Sequence, residues 1–234
     1  MSDDPPTSAL RRPPEGGRRR RARRGEGERL REEILQAAEE LLVAAGDLSA
    51  VSIRAVATAV GITPPSIYLH FADKDELIWA VCDRQFSKLA ARMRSAAHGQ
   101  EPLAALTAMG RAYVRFGLEN PEQYRIIFMN REEREPPWVT PEHIAELTAF
   151  GDLFAAVREA IDTGALRPLD PIVVSLGLWA AVHGVTSLLL AKPGFPWPDH
   201  QGLVDHMLRT QLEGLLRLPP HTGASDDRPF SSEP

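Results

Sequence analysis

The chain has 234 residues, 43% hydrophobic and 25% charged, with a formal net charge of −5 at pH 7. This composition is typical of a globular protein with a sizeable core, and a single cysteine, Cys82, excludes an intramolecular disulfide framework. No apolar run has the roughly 18 to 20 residues that span a bilayer, so we expect no membrane partner. The most apolar stretch, residues 172–191, is interpreted as a buried helix.

The first segment, residues 1–28, is rich in Pro, Gly and Arg and is predicted to be disordered. Eight arginines and one acidic residue lie between Arg11 and Arg24, although the protein as a whole is acidic. A basic arm on an acidic body is expected when contact with a polyanion is confined to one end of the molecule. The alternative reading of the same run is a solvated tail that only aids solubility.

Helical periodicity begins near Arg29, where apolar residues recur at steps of three and four until Gly46 ends the first predicted helix. Ser52 is the predicted N-cap of a second, short helix, which Gly61 ends. Ile53, Val56, Ala57 and Val60 of this helix are expected to point inward.

A third helix is predicted at Thr63, which can cap it, with Pro64 and Pro65 in its first turn, where proline breaks no intrahelical hydrogen bond. Asp73 opens a fourth helix, with Glu76 at the spacing of a capping box. Two short helices joined at a glycine have the spacing of a helix-turn-helix, over residues 52–71.

The third helix offers few core residues, because only Ile67 and Phe71 are spaced to point inward. A short helix with an exposed face of mixed polarity stabilises a core poorly, but it suits the major groove of DNA. Tyr68 can offer its hydroxyl to a phosphate, and Arg54 and Lys74 can offer their charges. The segment is therefore predicted to bind DNA.

The string from Ser52 to Phe71 resembles the DNA-binding domain of the TetR family of transcriptional regulators. The matching residues are Val60-Gly61 at the turn, Tyr68-Leu69-His70-Phe71, and Lys74 at the start of the fourth helix. The resemblance implies an all-α homodimer. It also implies a three-helix DNA-binding domain over 29–89 and a C-terminal helical bundle over 90–218 that dimerises and, as is common in the family, binds a small-molecule inducer. The tail over 219–234 is rich in Pro, Ser and Asp and is predicted from this composition to be disordered. The DNA contacts that it implies, with Pro65 added as an apolar contact, are Arg54, Thr63, Pro65, Ser66, Tyr68, His70 and Lys74.

The sequence departs from the family pattern at the start of the third helix, where Pro64 and Pro65 replace the small or polar residues often found there. In addition, no Arg or Lys lies between Thr63 and Asp73, so this helix cannot read guanine through an arginine. We therefore expect the arginine-rich arm to supply an unusual share of the affinity for DNA.

The second half of the chain is predicted to be helical near 101–119, 121–130, 141–164, 170–192 and 199–217, with loops at 131–140 and 193–198. Trp179, His183 and Gly184 form a Trp-x-x-x-His-Gly string that is similar to the WHG-type C-terminal domain of the family. The helices near 170–192 and 199–217 are apolar on more than one side, which predicts a homodimer face.

Aromatic residues at helical spacing in this half are expected either in the core or around an inducer of unknown identity. For His183 the same two readings stay open: a hydrogen-bonded core histidine or a ligand-pocket residue. The candidate pocket residues are Tyr113, Phe116, Phe128, Phe150, Phe154, Trp179 and His183.

Other classes of protein find little support. The seven histidines have no metal-ligand spacing, Cys82 has no activating partner in sequence, and no phosphate-binding or nucleophile motif occurs, so we expect no enzyme, metal or cofactor. A helical adaptor that binds protein is the second alternative, which the arginine-rich arm disfavours. The prediction is a cytoplasmic, nucleoid-associated regulator of an operator in double-stranded DNA, with repression the favoured direction.

Overall fold

The computed structural model describes residues 25–46, 51–128 and 148–216. Within these ranges the structure is helical, apart from one isolated antiparallel bridge between Leu166 and Leu216, which confirms the all-α fold. The helices are α1 (Glu26–Ala45), α2 (Ile53–Val60), α3 (Pro64–Ile67), α4 (Lys74–Ala97), α5 (Pro102–Glu119), α6 (Pro121–Phe128), α7 (Thr148–Asp162), α8 (Pro171–Ala191) and α9 (His200–Glu213). Most of the arm, the 131–140 loop and the tail lie outside the described residues.

Local capping rules place the ends of the first helices where the sequence predicts them. The Ser52 hydroxyl accepts a hydrogen bond from the Ala55 N–H at 3.1 Å, which fixes the start of α2. Gly61 ends α2 with φ of 73°, a left-handed conformation that glycine adopts without steric penalty. At α4, the Asp73 carboxylate accepts from the Glu76 N–H at 2.8 Å, as in a capping box.

Two local expectations need correction. Thr63 occupies the N-cap position of α3, but its hydroxyl pairs with the Ser66 hydroxyl at 3.0 Å and not with a backbone N–H. The reason is that Pro64 and Pro65 have no N–H to offer, and the Ser66 N–H already donates to the Thr63 carbonyl. In addition, α1 begins at Glu26, three residues before the predicted start.

The N-terminal helices share one hydrophobic cluster. Val56 of α2, Ile67 of α3 and Leu77 of α4 are all buried in it against the apolar face of α1, as is Phe71 between α3 and α4. Ile126 joins this cluster from α6, so a helix from the second half of the chain completes the first core. The core therefore holds α3 by its inner side only.

A second cluster unites the end of α4 with α5, α7, α8 and α9. The α4 helix contributes to both clusters, since Leu77 and Val81 lie in the first while Leu89 and Met93 lie in the second. One continuous helix thus belongs to both hydrophobic cores.

A buried carboxylate also ties α1 to α4. Glu39 is almost fully buried and accepts a hydrogen bond from Lys88 Nζ at 2.6 Å, with Arg84 3.5 Å away. Burial alone would raise the pKa of Glu39, but the hydrogen bond from Lys88 and the charges of Lys88 and Arg84 hold this pKa below its ordinary value. The carboxylate is thus charged and paired at neutral pH.

The interpretation of residues 172–191 as a buried helix needs correction, because only one side of α8 is buried. Val174, Leu178 and Val182 pack into the second cluster, whereas Val173 is 64% exposed and Leu188 53% exposed. The helix is long and apolar enough to cross a membrane by length and composition alone, a test that core helices also pass. The other helices of the bundle cover one of its faces and leave the opposite apolar face open.

Candidate nucleic-acid interface and aromatic cluster

The segment that begins at α3 exposes side chains between two buried anchors. Ile67 and Phe71 are buried, while Tyr68 is 53% exposed and Leu69 is 83% exposed. The backbone turns after α3 through hydrogen bonds from the His70 and Phe71 N–H groups to the Ile67 carbonyl. Large side chains that point outward contribute little to the core, so their placement favours contact with another molecule.

The structure places all seven predicted DNA-contacting residues at the surface or partly exposed. Arg54, Thr63 and Pro65 are exposed along with Tyr68. Ser66, His70 and Lys74 are half-buried, and neither Ser66 nor His70 is in the molecular interior. The set comes from the start of α2, from α3 and the residues on either side of it, and from the start of α4.

The start of α1 also borders this surface, which the sequence pattern did not reveal. The Arg31 guanidinium lies over the Phe71 ring, 4.6 Å from its centroid. Gly27 is close to His70, since a Cβ built on Gly27 would lie 4.0 Å from the His70 ring. A cation–π contact of this kind depends on tertiary packing, so no local signal could have identified Arg31.

Five of the seven candidate pocket residues meet in an aromatic cluster between α5, α6, α7 and α8. Tyr113 and Phe128 have ring centroids 5.7 Å apart, and Phe150 and Trp179 have centroids 6.1 Å apart. His183 lies 5.8 Å from Trp179, as expected for residues four apart on one helical face. Tyr124, which the sequence analysis missed, stacks on His183 at 5.7 Å.

Hydrogen bonds join the polar atoms of this cluster. His183 Nδ1 lies 2.8 Å from the Tyr124 hydroxyl and 3.1 Å from the Tyr113 hydroxyl. The Trp179 indole N–H donates to the Tyr113 oxygen at 3.3 Å, and the Ser187 hydroxyl lies 3.4 Å from His183 Nε2. Partly buried polar atoms thus satisfy one another, as the reading of His183 as a core histidine requires.

Burial also sets the ionisation of these groups. It raises the pKa of both Tyr113 and Tyr124 above the usual value for tyrosine, and it lowers the pKa of His183. At neutral pH the cluster therefore carries no charge, and a charged ligand would find no opposite charge among these side chains.

The other two candidate pocket residues lie apart from the network. Phe116 is buried beneath the Arg92 guanidinium, which is 5.5 Å from the ring centroid, and Phe154 is half-buried on α7. A cavity of about 310 Å³ lies elsewhere, beside the exposed face of α8, lined by Leu169, Asp170, Val173, Val174, Gly177, Leu178, Gln211 and Leu215. It shares no residue with the predicted set.

Comparison with known proteins gives two family matches. Residues 34–81 match the model of the bacterial regulatory proteins of the TetR family, and residues 106–211 match a tetracyclin repressor-like C-terminal domain. The first match contains α2, α3 and the start of α4, and the second contains the Trp179, His183 and Gly184 string.

Two relatives cover most of this chain. The HTH-type transcriptional regulator YobS of Bacillus subtilis is 26% identical over 184 residues, 78% of this chain and 91% of that protein. A Rhodococcus protein of unknown function has a TM-score of 0.67 and 25% identity, over 80% of this chain and 96% of its own.

A TetR-family regulator from Marinobacter aquaeolei shares the fold, with a TM-score of 0.63 and 20% identity over 83% of this chain and 99% of its own. The two consecutive family matches and the regulator relatives point to DNA binding. The outward-facing α3 segment is consistent with this role. The chain therefore belongs to the TetR family of bacterial transcriptional regulators, and it is a DNA-binding helix-turn-helix protein rather than an enzyme.

Proposed function

We propose that this protein is a homodimeric repressor that binds a pseudo-palindromic operator in double-stranded DNA and releases it when a small molecule binds to the C-terminal half. The observation that carries the proposal is the segment after Thr63, where Ile67 and Phe71 are buried while Tyr68 and Leu69 face outward. A helix held by its inner side alone is free to enter the major groove with its outer side.

In this proposal the contacts divide into two groups. Arg54, Tyr68 and Lys74 bind phosphates and so set the register of the protein on the duplex. Thr63, Pro65, Ser66 and His70 face the base edges, with the proline ring available to a thymine methyl group. The paired hydroxyls of Thr63 and Ser66 support this role, because such a pair can donate or accept toward a base.

A homodimer places two copies of α3 on one duplex, about 34–36 Å apart, when the half-sites are one helical turn apart. The exposed apolar side of α8 supports dimerisation, with α9 beside it. The domain division that we propose is the one predicted from the sequence, with DNA binding in residues 29–89 and dimerisation and regulation in residues 90–218.

The α6 helix offers a physical link between a ligand and the DNA-binding half. Tyr124 and Phe128 point into the aromatic cluster, whereas Ile126 between them is buried in the N-terminal core. A ligand that displaces the Tyr124 or Phe128 ring would therefore also shift Ile126 against α1 and α4. Such a ligand changes DNA affinity only if it binds the two arrangements unequally.

A regulator of this kind works where the chromosome is, so we propose a cytoplasmic, nucleoid-associated location. The inducer that fits the cluster is uncharged in the part that meets Tyr113, Tyr124 and His183, because these groups are neutral at pH 7. The hydrogen bonds to both ring nitrogens of His183 are also those of a structural core histidine. The proposal therefore keeps both roles for His183, in the core and in the ligand pocket.

Fluorescence anisotropy with DNA from the region upstream of the protein's own gene tests the proposal. Wild-type protein should bind this DNA specifically, and Tyr68→Ala and Arg54→Ala should each weaken binding by roughly tenfold through a lost phosphate contact. Arg158→Ala, which removes an equal charge from an exposed position on α7, is the matched control and should bind as the wild type does. Specific binding that neither variant weakens would refute the interface, and the absence of specific binding would refute the function.

A further inference from the structure

Leu69 is the most exposed large apolar residue in the part of the chain that the structure describes. Its side chain is 83% exposed, whereas Ile67, two residues earlier, is fully buried. A single leucine at a protein surface is common, so exposure alone assigns it no role. Its position on the helical turn decides what it can contact.

The helical winding continues beyond the end of α3. Tyr68 has helical backbone angles, with φ of −65° and ψ of −10°. The His70 and Phe71 N–H groups both donate to the Ile67 carbonyl, at 2.8 and 3.0 Å. The chain from Pro64 to His70 is therefore wound as a helix, and successive side chains point about 100° apart around its axis.

Pro65 and Leu69 lie on the side of this turn that is opposite the buried anchor. Each is two residues from Ile67, which corresponds to a rotation of about 200° around the axis. Pro65 is exposed, as Leu69 is. Because Ile67 points into the N-terminal core, these two residues, the outer pair, project furthest from the core.

Polar side chains lie on the flanks of the outer pair. Ser66 and His70 are four residues apart and share one flank, and Tyr68 lies on the other. The flanks can therefore donate and accept hydrogen bonds. The outer pair cannot do so, because the side chains of Pro65 and Leu69 have no polar atom.

This arrangement limits what the outer pair can bind in the major groove. A helix that enters the groove brings the side opposite its core anchor closest to the base edges. These edges carry hydrogen-bond donors and acceptors and one apolar group, the 5-methyl group of thymine. A leucine against a donor or acceptor would remove its water without replacing the hydrogen bond, whereas contact with a methyl group has no such cost.

We propose that Leu69, together with Pro65, selects DNA by the 5-methyl groups of two thymines in each half-site. The two residues are about 6 Å apart along the helix, and base pairs are stacked about 3.4 Å apart, so the thymines are one or two base pairs apart. This inference rests on the DNA binding of the proposed function. It specifies the base chemistry that the recognition segment selects and adds Leu69 as a specificity-determining residue.

Replacement of thymine by deoxyuridine in the operator tests the proposal, because uracil keeps the hydrogen-bonding edge and lacks only the methyl group. The full chain is used, with a site located by footprinting upstream of its own gene. Two thymines in each half-site should each weaken binding by about fourfold when replaced, the effect expected for one buried methyl group. Replacement of thymines outside the footprint is the control and should change nothing.

A double-mutant cycle assigns one of these methyl groups to Leu69. Leu69→Ala should bind the thymine and uracil forms equally at one position, and it should unfold at the wild-type temperature because the side chain is exposed. Tyr68→Phe is the matched control in the same turn. It should lower the affinity for both forms by the same factor, since a phosphate contact does not depend on the base.

Restoration of a methyl group on a different base gives an independent readout. With a cytosine in place of the thymine that Leu69 contacts, 5-methylcytosine should bind about fourfold more tightly than cytosine, because only the methyl group differs. Specific binding that tolerates uracil at every position, or that stays equally sensitive to uracil in Leu69→Ala, would overturn this readout and leave the proposed function intact. The absence of specific binding to any site would overturn both.

Discussion

Tyr124 shows how one side chain can belong to two environments. Its ring is fully buried, and its hydroxyl lies 2.8 Å from His183 Nδ1 and 3.4 Å from the Ser187 hydroxyl. The ring packs against Phe128 and His183, so shape and hydrogen bonding both hold it in place. Such a residue is expected to matter for stability whether or not a ligand binds nearby.

Tyr124→Phe should lower the free energy of unfolding by about 1–3 kcal/mol, because the partners of the lost hydroxyl remain in a partly buried site. Urea denaturation followed by circular dichroism measures this change. Tyr68→Phe is the matched control, since the Tyr68 ring is half exposed and its hydroxyl should affect DNA affinity without affecting stability. Equal stability of the two variants would contradict the role given to Tyr124.

His183 makes a prediction about pH. Burial lowers its pKa in the folded protein, so the unfolded chain binds a proton on His183 more readily than the folded protein does. Its contribution to stability is therefore present above about pH 6.5 and is lost as the pH falls through the lower pKa of the folded state. His183→Gln should reduce the loss of stability between neutral and mildly acidic pH, as measured by denaturation at a series of pH values. His200→Gln, at an exposed position, provides the control.

At the scale of the helix, the start of α4 holds the recognition segment in place. Asp73 caps α4, and Glu76 reaches back to the Ala72 N–H, which follows directly on Phe71. Asp73→Ala should lower stability by about 1 kcal/mol and also weaken DNA binding, because Lys74 and the chain after α3 lose their fixed position. Thermal unfolding and anisotropy measure the two effects.

Asp75→Ala is the control for this prediction, since it removes the same charge from the same first turn of α4 without removing the cap. Both substitutions weaken the favourable interaction with the helix dipole to a similar degree. A loss of stability that is equal in the two variants would mean that the dipole, and not the Asp73 hydrogen bond, accounts for the effect.

These helix ends also show which parts of the structure follow from local sequence. Ser52, Gly61 and Asp73 act through bonds within three or four residues, so a sequence pattern is sufficient to predict them. The outward direction of Tyr68 follows in the same way from the inward spacing of Ile67 and Phe71. Thr63 occupies the N-cap position of α3 as expected, but its hydroxyl makes no capping hydrogen bond, because Pro64 and Pro65 have no N–H to donate and the Ser66 N–H donates to the Thr63 carbonyl.

Contacts between distant segments could not be predicted in that way. Tyr124 and His183 are far apart in the sequence and meet only because α6 and α8 pack on α5. The sequence indicated that the last two long helices were apolar on several sides, but not which face of α8 stays open. The open face of α8 lies opposite the face that the neighbouring helices cover. It therefore depends on how the whole bundle packs.

At the scale of the whole molecule, charge is distributed unevenly between the arm and the body. The eight arginines between Arg11 and Arg24 precede α1, which begins at Glu26, and the rest of the protein is acidic. Residues 1–24 lie outside the described residues, so the role of these arginines is inferred from the sequence. The start of α1 borders His70 and Phe71, and an arm that continues from it begins beside the proposed DNA interface.

Removal of residues 1–25 leaves α1 intact and should lower the affinity for DNA and its dependence on salt. Each lost phosphate contact should reduce the slope of log affinity against log salt concentration by about 0.9, because fewer counterions are released on binding. Removal of residues 1–10, which include no Arg or Lys, is the matched control and should leave the slope unchanged. If both truncated proteins keep the wild-type slope, the arginines act as a solvated tail, and the affinity comes from Arg54, Lys74 and the helices that carry them.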